Sequence, residues 1–458
     1  MQGSRMASVD AAWYRMESPV NPMMVTGLFV FHEPLDLVRL RTVLAERLIG
    51  RYPRFRHRLA VPPGLFARPR WVDDGDFDLD RHLPVRRTPR GREPLSAVLD
   101  ELASTPLDPA HPLWCFTVLT DDRVAHALVA RISHCVADGV ALARVVLSLT
   151  DDQPDAPGAA EPPAAAAPAP RRVRFLRGSR GERTQPSELV RRAATVARFL
   201  GAGIATLPRL CTLPTAPRSV LRAPLTGEKR LAWSTPVPLA AIKALGRASG
   251  ATVNDVLMNA ITGALHRVVD EDSRQVRLVR AAVPVDLRDP AEPVGMGNRF
   301  GLVFLALPVG LADPDRRLAV VQRRMGAIKR SPEAVVTLAA LGLLGVLPAV
   351  VQRAVIRLLG SKTTLVLTNV PGPRQPVYLA GARVPELQYW VPQCGGVGLG
   401  VSILSYAGQV TVGVAADRGV LADPRRVVTA FRAELDDLLR RAGVDRQDAL
   451  GVAVTPPA

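Results

Sequence analysis

A proline- and alanine-rich stretch divides this chain and limits what it can fold into. Residues 151–172 have the sequence DDQPDAPGAAEPPAAAAPAPRR, a composition that cannot supply a hydrophobic core and is typical of a flexible, extended linker. We therefore predict a linker over residues 151–185 between an N-terminal domain (1–150) and a C-terminal domain (229–446). Since the chain has 458 residues, each part is long enough to bury a core of its own.

Two further regions complete the predicted organisation. The sequence SELVRRAATVARFLGAGIATLPRL (187–210) has the spacing of an amphipathic helix with a basic side. We place it in a connecting helical segment at 186–228. The C-terminal residues 447–458 are predicted to form a mobile tail.

Strand and helix patterns alternate in both halves of the chain. In the first half, MVTGLFVFH (24–32) and VAHALVARI (124–132) are short apolar runs typical of strands, and VALARVVLSL (140–149) has helical spacing. The second half adds strands at 276–285 and 363–370, a helix near Asn254 capped by Thr252, a hairpin turning near Gly408, and a last helix begun by Asp423 and Pro424. The pattern predicts an α/β protein with two domains of similar size.

The net charge of the chain is strongly positive. The formal charge is +17 and comes almost entirely from arginine, because only Lys229, Lys243, Lys329 and Lys362 are lysines. Two interpretations remain open, a solvated basic surface and an anionic partner such as a phosphate-bearing cofactor or an acidic membrane. Zinc-finger spacing and aromatic RNA-binding signatures are missing from the sequence, so we expect no nucleic-acid partner.

Cysteine usage and the N-terminal sequence both predict a cytoplasmic protein. The cysteines, Cys115, Cys135, Cys211 and Cys394, match no disulfide framework and no metal-ligand spacing. We therefore expect reduced thiols and no metal. The first residues, MQGSRMASVDAAWYRMESP, are polar and lack the apolar core of a signal peptide.

One apolar stretch has nearly the length of a membrane span. It is AVVTLAALGLLGVLPAVV (334–351), interrupted by Gly342, Gly345 and Pro348 and followed by the basic, amphipathic QRAVIRLLGSK. Three interpretations are open: helices buried in the fold or lining an apolar channel, a helical face in the membrane interface, and a true span.

His134 is the most informative candidate for chemistry. It follows the predicted strand at 124–132, with Asp138 four residues later and Gly139 directly after that carboxylate. A loop between a strand and a helix can hold a side chain rigidly beside a cavity, although a histidine hydrogen-bonded within a turn would show the same spacing. Cys135 is adjacent, but neighbouring residues of an extended segment point to opposite sides, so a Cys–His nucleophilic pair is not expected.

Missing motifs narrow the chemistry that His134 could support. The sequence contains no phosphate-binding GxxxxGK[ST] loop, no dinucleotide fingerprint and no GxSxG nucleophile elbow. The simplest use of a lone histidine is as a general base that takes the proton from an attacking hydroxyl or amine. This predicts direct acyl transfer in a ternary complex, without an acyl-enzyme.

The motifs of the chain resemble those of a known family. SHCVADG (133–139) is similar to the HHxxxDG motif of the CoA-dependent acyltransferase superfamily, which includes chloramphenicol acetyltransferases and the condensation domains of peptide synthetases. The finer resemblance is to the bacterial wax ester synthase/diacylglycerol acyltransferases. It extends over nearly the whole chain except the linker and the tail, through DAAWYRMESPVNPMMVTGLFVF, YPRFRHRL, HPLW, NDVLMNA, PVDLR, GNRF, TNVPGP and LGVSILSYAGQVTVGVAAD.

The resemblance implies a fold and a set of site residues. Two domains of the chloramphenicol-acetyltransferase type, each a mixed sheet flanked by helices, would enclose a tunnel between them. His134 occupies the position of the family's general base, and Ser133 replaces the first histidine of the motif. Asp138 would act mainly structurally by pairing with Arg288 of PVDLR, which would fix the direction of the imidazole.

Other motif positions carry weaker expectations. Asn254, followed by Asp255, could present its amide to the thioester oxygen or the acceptor, or could simply cap its helix. The remaining positions of the resemblance are expected to shape the tunnel: Pro112, Leu113, Trp114, Asn298, Asn369, Pro371 and Gly372.

The resemblance implies an O-acyltransferase that moves a long-chain acyl group from acyl-CoA to diacylglycerol, to a fatty alcohol, or to both. Acyl-CoA would be a co-substrate, with no permanently bound cofactor. The enzyme would associate peripherally with the inner face of the cell membrane or with lipid droplets. Two alternatives remain at this point: an acyltransferase of the same superfamily with another alcohol or amine acceptor, and a non-catalytic lipid-binding protein.

Overall fold

The described part of the chain contains most of both predicted domains but little of the predicted linker. The computed structural model describes residues 3–64, 67–121, 124–154, 212, 214–216, 219–272, 276–288 and 296–444. Residues 155–185 of the predicted linker, the predicted helix at 187–210 and the predicted tail at 447–458 lie outside the described residues.

Several helices begin at aspartates whose carboxylates accept backbone N–H bonds of the first turn. Asp36, Asp138 and Asp313 cap α2, α5 and α8 in this way, as expected for short acceptors at N-cap positions. The helices are α1 (Ser8–Met16), α2 (Leu37–Val43), α3 (Leu79–His82), α4 (Arg92–Ser104), α5 (Gly139–Leu147), α6 (Leu239–Ala248), α7 (Val253–Asp272), α8 (Pro314–Lys329), α9 (Glu333–Leu344), α10 (Ala349–Ser361) and α11 (Arg425–Arg441).

In the described part of the chain, the strands fall into two large sheets and two small ones. They are β1 (Ser4–Arg5), β2 (Met24–Val30), β3 (His57–Ala60), β4 (Arg70–Asp73), β5 (Val85–Arg87), β6 (Trp114–Asp121), β7 (Val124–Ser133), β8 (Thr150–Asp151), β9 (Lys229–Trp233), β10 (Val237–Pro238), β11 (Val279–Asp286), β12 (Phe300–Leu307), β13 (Leu365–Pro371), β14 (Val377–Leu379), β15 (Ala382–Val384), β16 (Glu386–Trp390), β17 (Leu399–Tyr406) and β18 (Gln409–Asp417). The N-terminal sheet has the order β16-β2-β7-β6-β5, and the C-terminal sheet has the order β10-β18-β17-β13-β11-β12 with β9 paired to β18.

The central strand of the N-terminal sheet is buried on both faces. Ala130 and Ile132 of β7 pack with Leu142 of α5 on one face, while Val129 packs with Leu99 of α4 on the other. Alternate residues of a strand point to opposite faces, so a valine-rich run without polar alternation fits this position. The same burial holds the end of β7, where His134 follows, in a fixed place.

Strand β16 connects the two halves of the chain. It comes from the second half of the sequence but pairs antiparallel with β2, with Gln388 opposite Leu28 and Trp390 opposite Thr26. The small hairpin β14–β15 likewise adds to β8 near the end of the first half. Residues 377–390 therefore extend the N-terminal half although they lie inside the range predicted for the C-terminal domain.

The local signals predicted in the second half are confirmed, with one shift. Strands β17 and β18 form the predicted hairpin, and Gly408 turns it with φ of 75°. Thr252 accepts the N–H of Asp255 at the start of α7. The last helix begins at Arg425 with Pro424 as its N-cap residue, one position later than predicted, while Asp423 accepts the N–H of Arg425.

The apolar stretch at 334–351 forms parts of two helices rather than one. Helix α9 ends at Leu344, and Pro348 precedes α10, since proline is accommodated at the start of a helix but not inside it. Within the described residues, no helix has both the length and the apolarity needed to cross a bilayer.

Candidate active site

His134 lies where β7 ends, facing a cavity between the two halves of the chain. Its backbone N–H donates to the carbonyl of Met23 on the neighbouring β2 segment (2.7 Å). Its side chain lines a cavity of about 160 Å³, here called the catalytic cavity, together with residues of the second half such as Asp286, Phe300 and Asn369. Imidazole Nδ1 is enclosed by protein atoms, so Nε2 is the nitrogen available to a substrate.

The carboxylate of Asp138 is fully engaged in structural bonds. Its oxygens accept from Arg288 Nη1 (2.9 Å) and Nη2 (2.5 Å), from the N–H of Arg299 (2.9 Å) and from the N–H of Ala141 (2.9 Å). Both side chains of the ion pair are buried. With its lone pairs occupied, Asp138 fixes the loop after His134 and is not available as a proton acceptor for a substrate.

Two aromatic rings enclose the imidazole of His134. The ring centroid of Trp13 is 4.8 Å away and that of Phe300 is 5.6 Å away. This burial lowers the pKa of His134 below its ordinary value of 6.5, and the negative charges of Asp138 and Asp10 oppose that shift. The imidazole is therefore neutral at pH 7, as a general base must be.

The backbone of the catalytic loop is tied down by a network that the sequence patterns did not indicate. Asn298 Nδ2 donates to the carbonyl of His134 (3.1 Å), and Arg54 Nη1 donates to the carbonyl of Val136 (2.7 Å). Asp10 accepts two hydrogen bonds from Asn298, both 2.9 Å long. The network joins α1, the segment before β3 and the segment before β12.

Ser133 and Cys135 flank His134 without taking part in nucleophilic chemistry. The hydroxyl of Ser133 is buried and donates to Cys135 Sγ (3.3 Å). Burial raises the pKa of the Cys135 thiol to about 12, so the thiolate is scarce at neutral pH.

Asn254 lies at the start of α7 and does not line the catalytic cavity. Thr252 and Asp255 form a reciprocal cap at this helix start, with the Asp255 carboxylate accepting the N–H of Thr252 (3.0 Å). The side-chain oxygen of Asn254 instead accepts from Asn369 Nδ2 (3.1 Å). Asn254 thus contacts Asn369, which lines the catalytic cavity.

A second, almost entirely apolar cavity of about 90 Å³ adjoins the first. Here called the apolar cavity, it lies beneath α5 and shares four lining residues with the catalytic cavity, namely Val25, Gly139, Val370 and Tyr389. The Tyr389 hydroxyl bonds Thr368 (3.0 Å) and the carbonyl of Ile403 (3.2 Å), and burial raises its pKa above the ordinary range.

Comparison with known families assigns the chain to one of them. Residues 6–257 match the family model described as the wax ester synthase/diacylglycerol acyltransferase catalytic domain, and residues 296–439 match the C-terminal domain of the same family. The chain belongs to the wax ester synthase/diacylglycerol acyltransferase family. The predicted family membership is thereby confirmed, and the chain is an acyltransferase.

Individual relatives agree with this assignment. The chain is 30% identical to a probable diacylglycerol O-acyltransferase of Mycobacterium tuberculosis H37Rv, over 98% of this chain and 100% of the relative. It is 31% identical to a putative diacylglycerol O-acyltransferase of the same organism, over 88% of each chain.

Solved structures show the fold. A wax ester synthase/diacylglycerol acyltransferase from Marinobacter aquaeolei VT8 matches with a TM-score of 0.69 at 23% identity, covering 96% of this chain and all of that one. The first condensation domain of the calcium-dependent antibiotic synthetase matches with a TM-score of 0.61 at 17% identity, covering 97% of each. The predicted fold, two chloramphenicol-acetyltransferase-like domains of sheets flanked by helices, is confirmed.

The motif positions of this acyltransferase expected to shape the tunnel fall into two groups. Asn369 lines the catalytic cavity, and Pro371 and Gly372 line the apolar cavity. Asn298 lines neither and bonds the carbonyl of His134 instead.

Pro112, Leu113 and Trp114 line neither of these two cavities, and their role in shaping a tunnel stays a prediction. Trp114 is buried in the N-terminal core at the start of β6, where its indole N–H donates to the carbonyl of Phe55 (2.9 Å) and its ring stacks on His82 at 4.5 Å. Leu113 and Trp114 both belong to the buried core of the N-terminal half.

Trp13, Phe300, Asp10 and Arg54 are the site residues that sequence reasoning missed. Trp13 and Asp10 are three residues apart on α1, and this spacing puts both side chains on one helix face. All four missed residues lie within motifs that carried the family resemblance, DAAWYRM, YPRFRHRL and GNRF, and this was the available signal.

Proposed function

We propose that this chain transfers a long-chain acyl group from acyl-CoA to the hydroxyl of diacylglycerol or of a fatty alcohol. The observation that carries the proposal is the buried His134, whose one available nitrogen faces a cavity between the two halves of the chain. Residues of both halves line that cavity, so a thioester and a hydroxyl can meet there without a covalent enzyme intermediate.

The proposed reaction proceeds in two steps. Nε2 of His134 takes the proton of the acceptor hydroxyl while its oxygen attacks the thioester carbonyl and forms a tetrahedral oxyanion. The oxyanion then collapses, the carbon–sulfur bond breaks, and the imidazolium returns the proton to the leaving thiolate of CoA. The products are an oxygen ester and free CoA, and His134 is neutral again.

The other site residues have supporting roles in this proposal. The Asp138–Arg288 pair fixes the loop, and Gly139 leaves open space where the two cavities meet. Ser133 fills the buried space beside Cys135, and Asn254 orients Asn369 at the cavity wall. No proton is routed through these residues, because Asp138 is already occupied by four donors.

We assign a hydrocarbon chain of the substrates to the apolar cavity. Its wall includes aliphatic side chains of α5, β2 and β7 together with residues of β13, β16 and β17, and the small residues Gly27 and Ala130 leave space between β2 and β7. An apolar cavity of this kind favours alkyl groups because their burial removes hydrocarbon from water, at about 0.8 kcal/mol per methylene.

We further propose peripheral association with a membrane or lipid droplet through α9 and α10. Exposed apolar residues concentrate there, the segment from 334 to 361 contains no acidic residue, and exposed arginines accompany them: Leu343, Val346, Val350, Val351, Leu358, Arg353 and Arg357. Such a face suits an anionic lipid surface. Its inner side, with Leu341, Leu344 and Ile356, packs with Trp13 beside the catalytic cavity.

Vesicle sedimentation tests the membrane proposal. The variant Leu343→Glu/Val350→Glu should bind phosphatidylglycerol vesicles less than wild type does. Val38→Glu, at an exposed position on α2, should bind as wild type does. Equal binding by all three proteins would contradict the assignment of this face.

The acceptor is identified by product analysis. Purified protein is incubated with palmitoyl-CoA and either hexadecanol or a diacylglycerol, and lipid products are separated by chromatography. We expect a wax ester, a triacylglycerol or both, with an equal amount of free thiol. Folded protein that yields neither ester would contradict the proposed acceptors, and an ester formed only with other alcohols or amines would replace them.

A further inference from the structure

The carboxylate of Asp10 joins segments from both halves of the chain. It is almost fully buried on α1. Its Oδ1 accepts both the backbone N–H and the side-chain Nδ2 of Asn298, and its Oδ2 lies 3.2 Å from Arg54 Nη1.

The two partners of Asp10 bind two backbone carbonyls of the loop that begins at His134. Asn298 donates to the carbonyl of His134 and Arg54 donates to the carbonyl of Val136. The residue before Asn298 is fixed from the other side, because Arg288 Nη2 donates to the carbonyl of Gly297 (2.8 Å). Arg288 also binds Asp138, so the network closes around the loop 134–138.

Helix α1 therefore sets both the backbone and the ring of the general base. Asp10 acts on the loop through Asn298 and Arg54, and Trp13, one helical turn later, packs against the imidazole. A shift of α1 would change the position and the direction of Nε2 together.

We infer that Asp10 is a positioning residue for acyl transfer, which holds His134 at the catalytic cavity through Asn298 and Arg54. This inference rests on the proposed function, because Asp10 would position His134 for its proposed role as general base. A misplacement of about 1 Å at a reacting group can cost on the order of 100-fold in rate, so the rigidity of this loop has a measurable consequence.

The charge of Asp10 provides a readout that a merely structural ion pair would lack. Burial lowers the pKa of His134. Asp138 opposes this shift most strongly, followed by hydrogen bonds of the His134 backbone and of Asn298, the partner of Asp10, and then by the charge of Asp10 itself. Several ionisable groups surround the imidazole. Asp138 and Cys135 lie on its own loop, Asp10 lies on α1, and Arg54 is the partner of Asp10. Asp286 and Arg288 lie at and after the end of β11, and Tyr389 and Cys394 lie on the cavity wall. Removing the Asp10 charge therefore lowers the pKa of His134 further and moves the acid limb of the pH–rate profile to lower pH.

The decisive variant is Asp10→Asn, which keeps the shape of the side chain and removes its charge. We expect kcat for thiol release to fall at least about tenfold, the KM for palmitoyl-CoA to stay within about twofold, and the acid limb to move down. The matched control is Glu434→Gln, another buried carboxylate, paired with Arg317 and Arg267 in the C-terminal half. It should lower thermal stability without moving the pH profile.

A double-mutant cycle with Arg54→Gln keeps the inference testable if Asp10→Asn folds poorly. Arg54→Gln alone should also lower kcat, and the double variant should lose less than the product of the two single losses, because both act on one loop. A folded Asp10→Asn protein with wild-type kcat and an unchanged pH profile would overturn the inference. An equal loss of kcat in Glu434→Gln would overturn it as well. Inactive wild-type protein would instead refute the proposed function itself.

Discussion

The indole ring of Trp13 lies against the imidazole of His134, with ring centroids 4.8 Å apart and planes tilted by 35°. Phe300 completes the enclosure, 5.1 Å from Trp13. The rings exclude water from one side of the imidazole and limit its rotation. A general base needs this arrangement because proton transfer depends on direction as well as distance.

Replacing this ring should therefore reduce turnover. We predict that Trp13→Leu lowers kcat about tenfold or more, because the imidazole gains rotational freedom and water gains access, whereas Trp13→Phe keeps most of the activity. Thiol release under saturating palmitoyl-CoA and acceptor measures the effect. Trp233→Leu is the control, since Trp233 is equally buried but packs on Trp390 away from the cavities; equal loss in both variants would show that folding alone is responsible.

The pH dependence follows from the state of His134. The base acts only when neutral, and burial lowers its pKa below 6.5. We predict that kcat/KM is constant around neutral pH and falls as the pH drops through the lowered pKa, with the midpoint below 6.5. A rate profile recorded in buffers of constant ionic strength tests this, and a midpoint above 6.5 would mean that the group controlling the rate is not this buried imidazole.

Breaking the Asp138–Arg288 pair should cost stability. Asp138→Asn leaves the buried Arg288 guanidinium with Asp286 as a remaining charged partner (3.1 Å), so we expect the free energy of unfolding to fall by up to about 3 kcal/mol, together with kcat. Equilibrium unfolding in denaturant measures this change in the free energy of unfolding. The exposed pair Arg86–Glu101 serves for comparison, and Glu101→Gln should change stability by no more than about 1 kcal/mol.

Substitution of Gly27 should alter the preferred chain length. A Cβ at this position meets nothing nearer than Ala130 Cβ at 3.8 Å, so Gly27→Leu can fill the apolar cavity without a backbone clash. We predict a shift toward shorter acyl or alcohol chains, measured as the ratio of kcat/KM for C8 and C16 substrates. Gly326→Leu on α8 is the control, because a Cβ there meets only Arg330 at 3.5 Å. An unchanged ratio in Gly27→Leu would show that the apolar cavity does not bind the hydrocarbon chain.

Sequence patterns predicted the features that depend on neighbouring residues. The strand–loop–helix around His134, the cap formed by Thr252 and the turn at Gly408 are all set by local spacing and backbone preference. The ion pair between Asp138 and Arg288 spans 150 positions and was expected only from the resemblance to a family.

Long-range packing explains what the sequence did not reveal. Nothing local indicates that β16 leaves the C-terminal half to pair with β2, because strand pairing is decided by tertiary contacts. Nothing local indicates either that the indole N–H of Trp114 donates to the carbonyl of Phe55, 59 positions away, or that its ring packs in the N-terminal core. Asp10 and Trp13 become site residues only because α1 packs beside β12 and the loop after β7.

The most direct test compares wild type with His134→Ala in acceptor-dependent thiol release from palmitoyl-CoA. We predict that wild type releases one CoA for each ester formed, and that His134→Ala, with an unchanged circular dichroism spectrum, loses nearly all of this activity at every pH. Full activity in a folded His134→Ala protein would contradict the assignment of His134 as the general base.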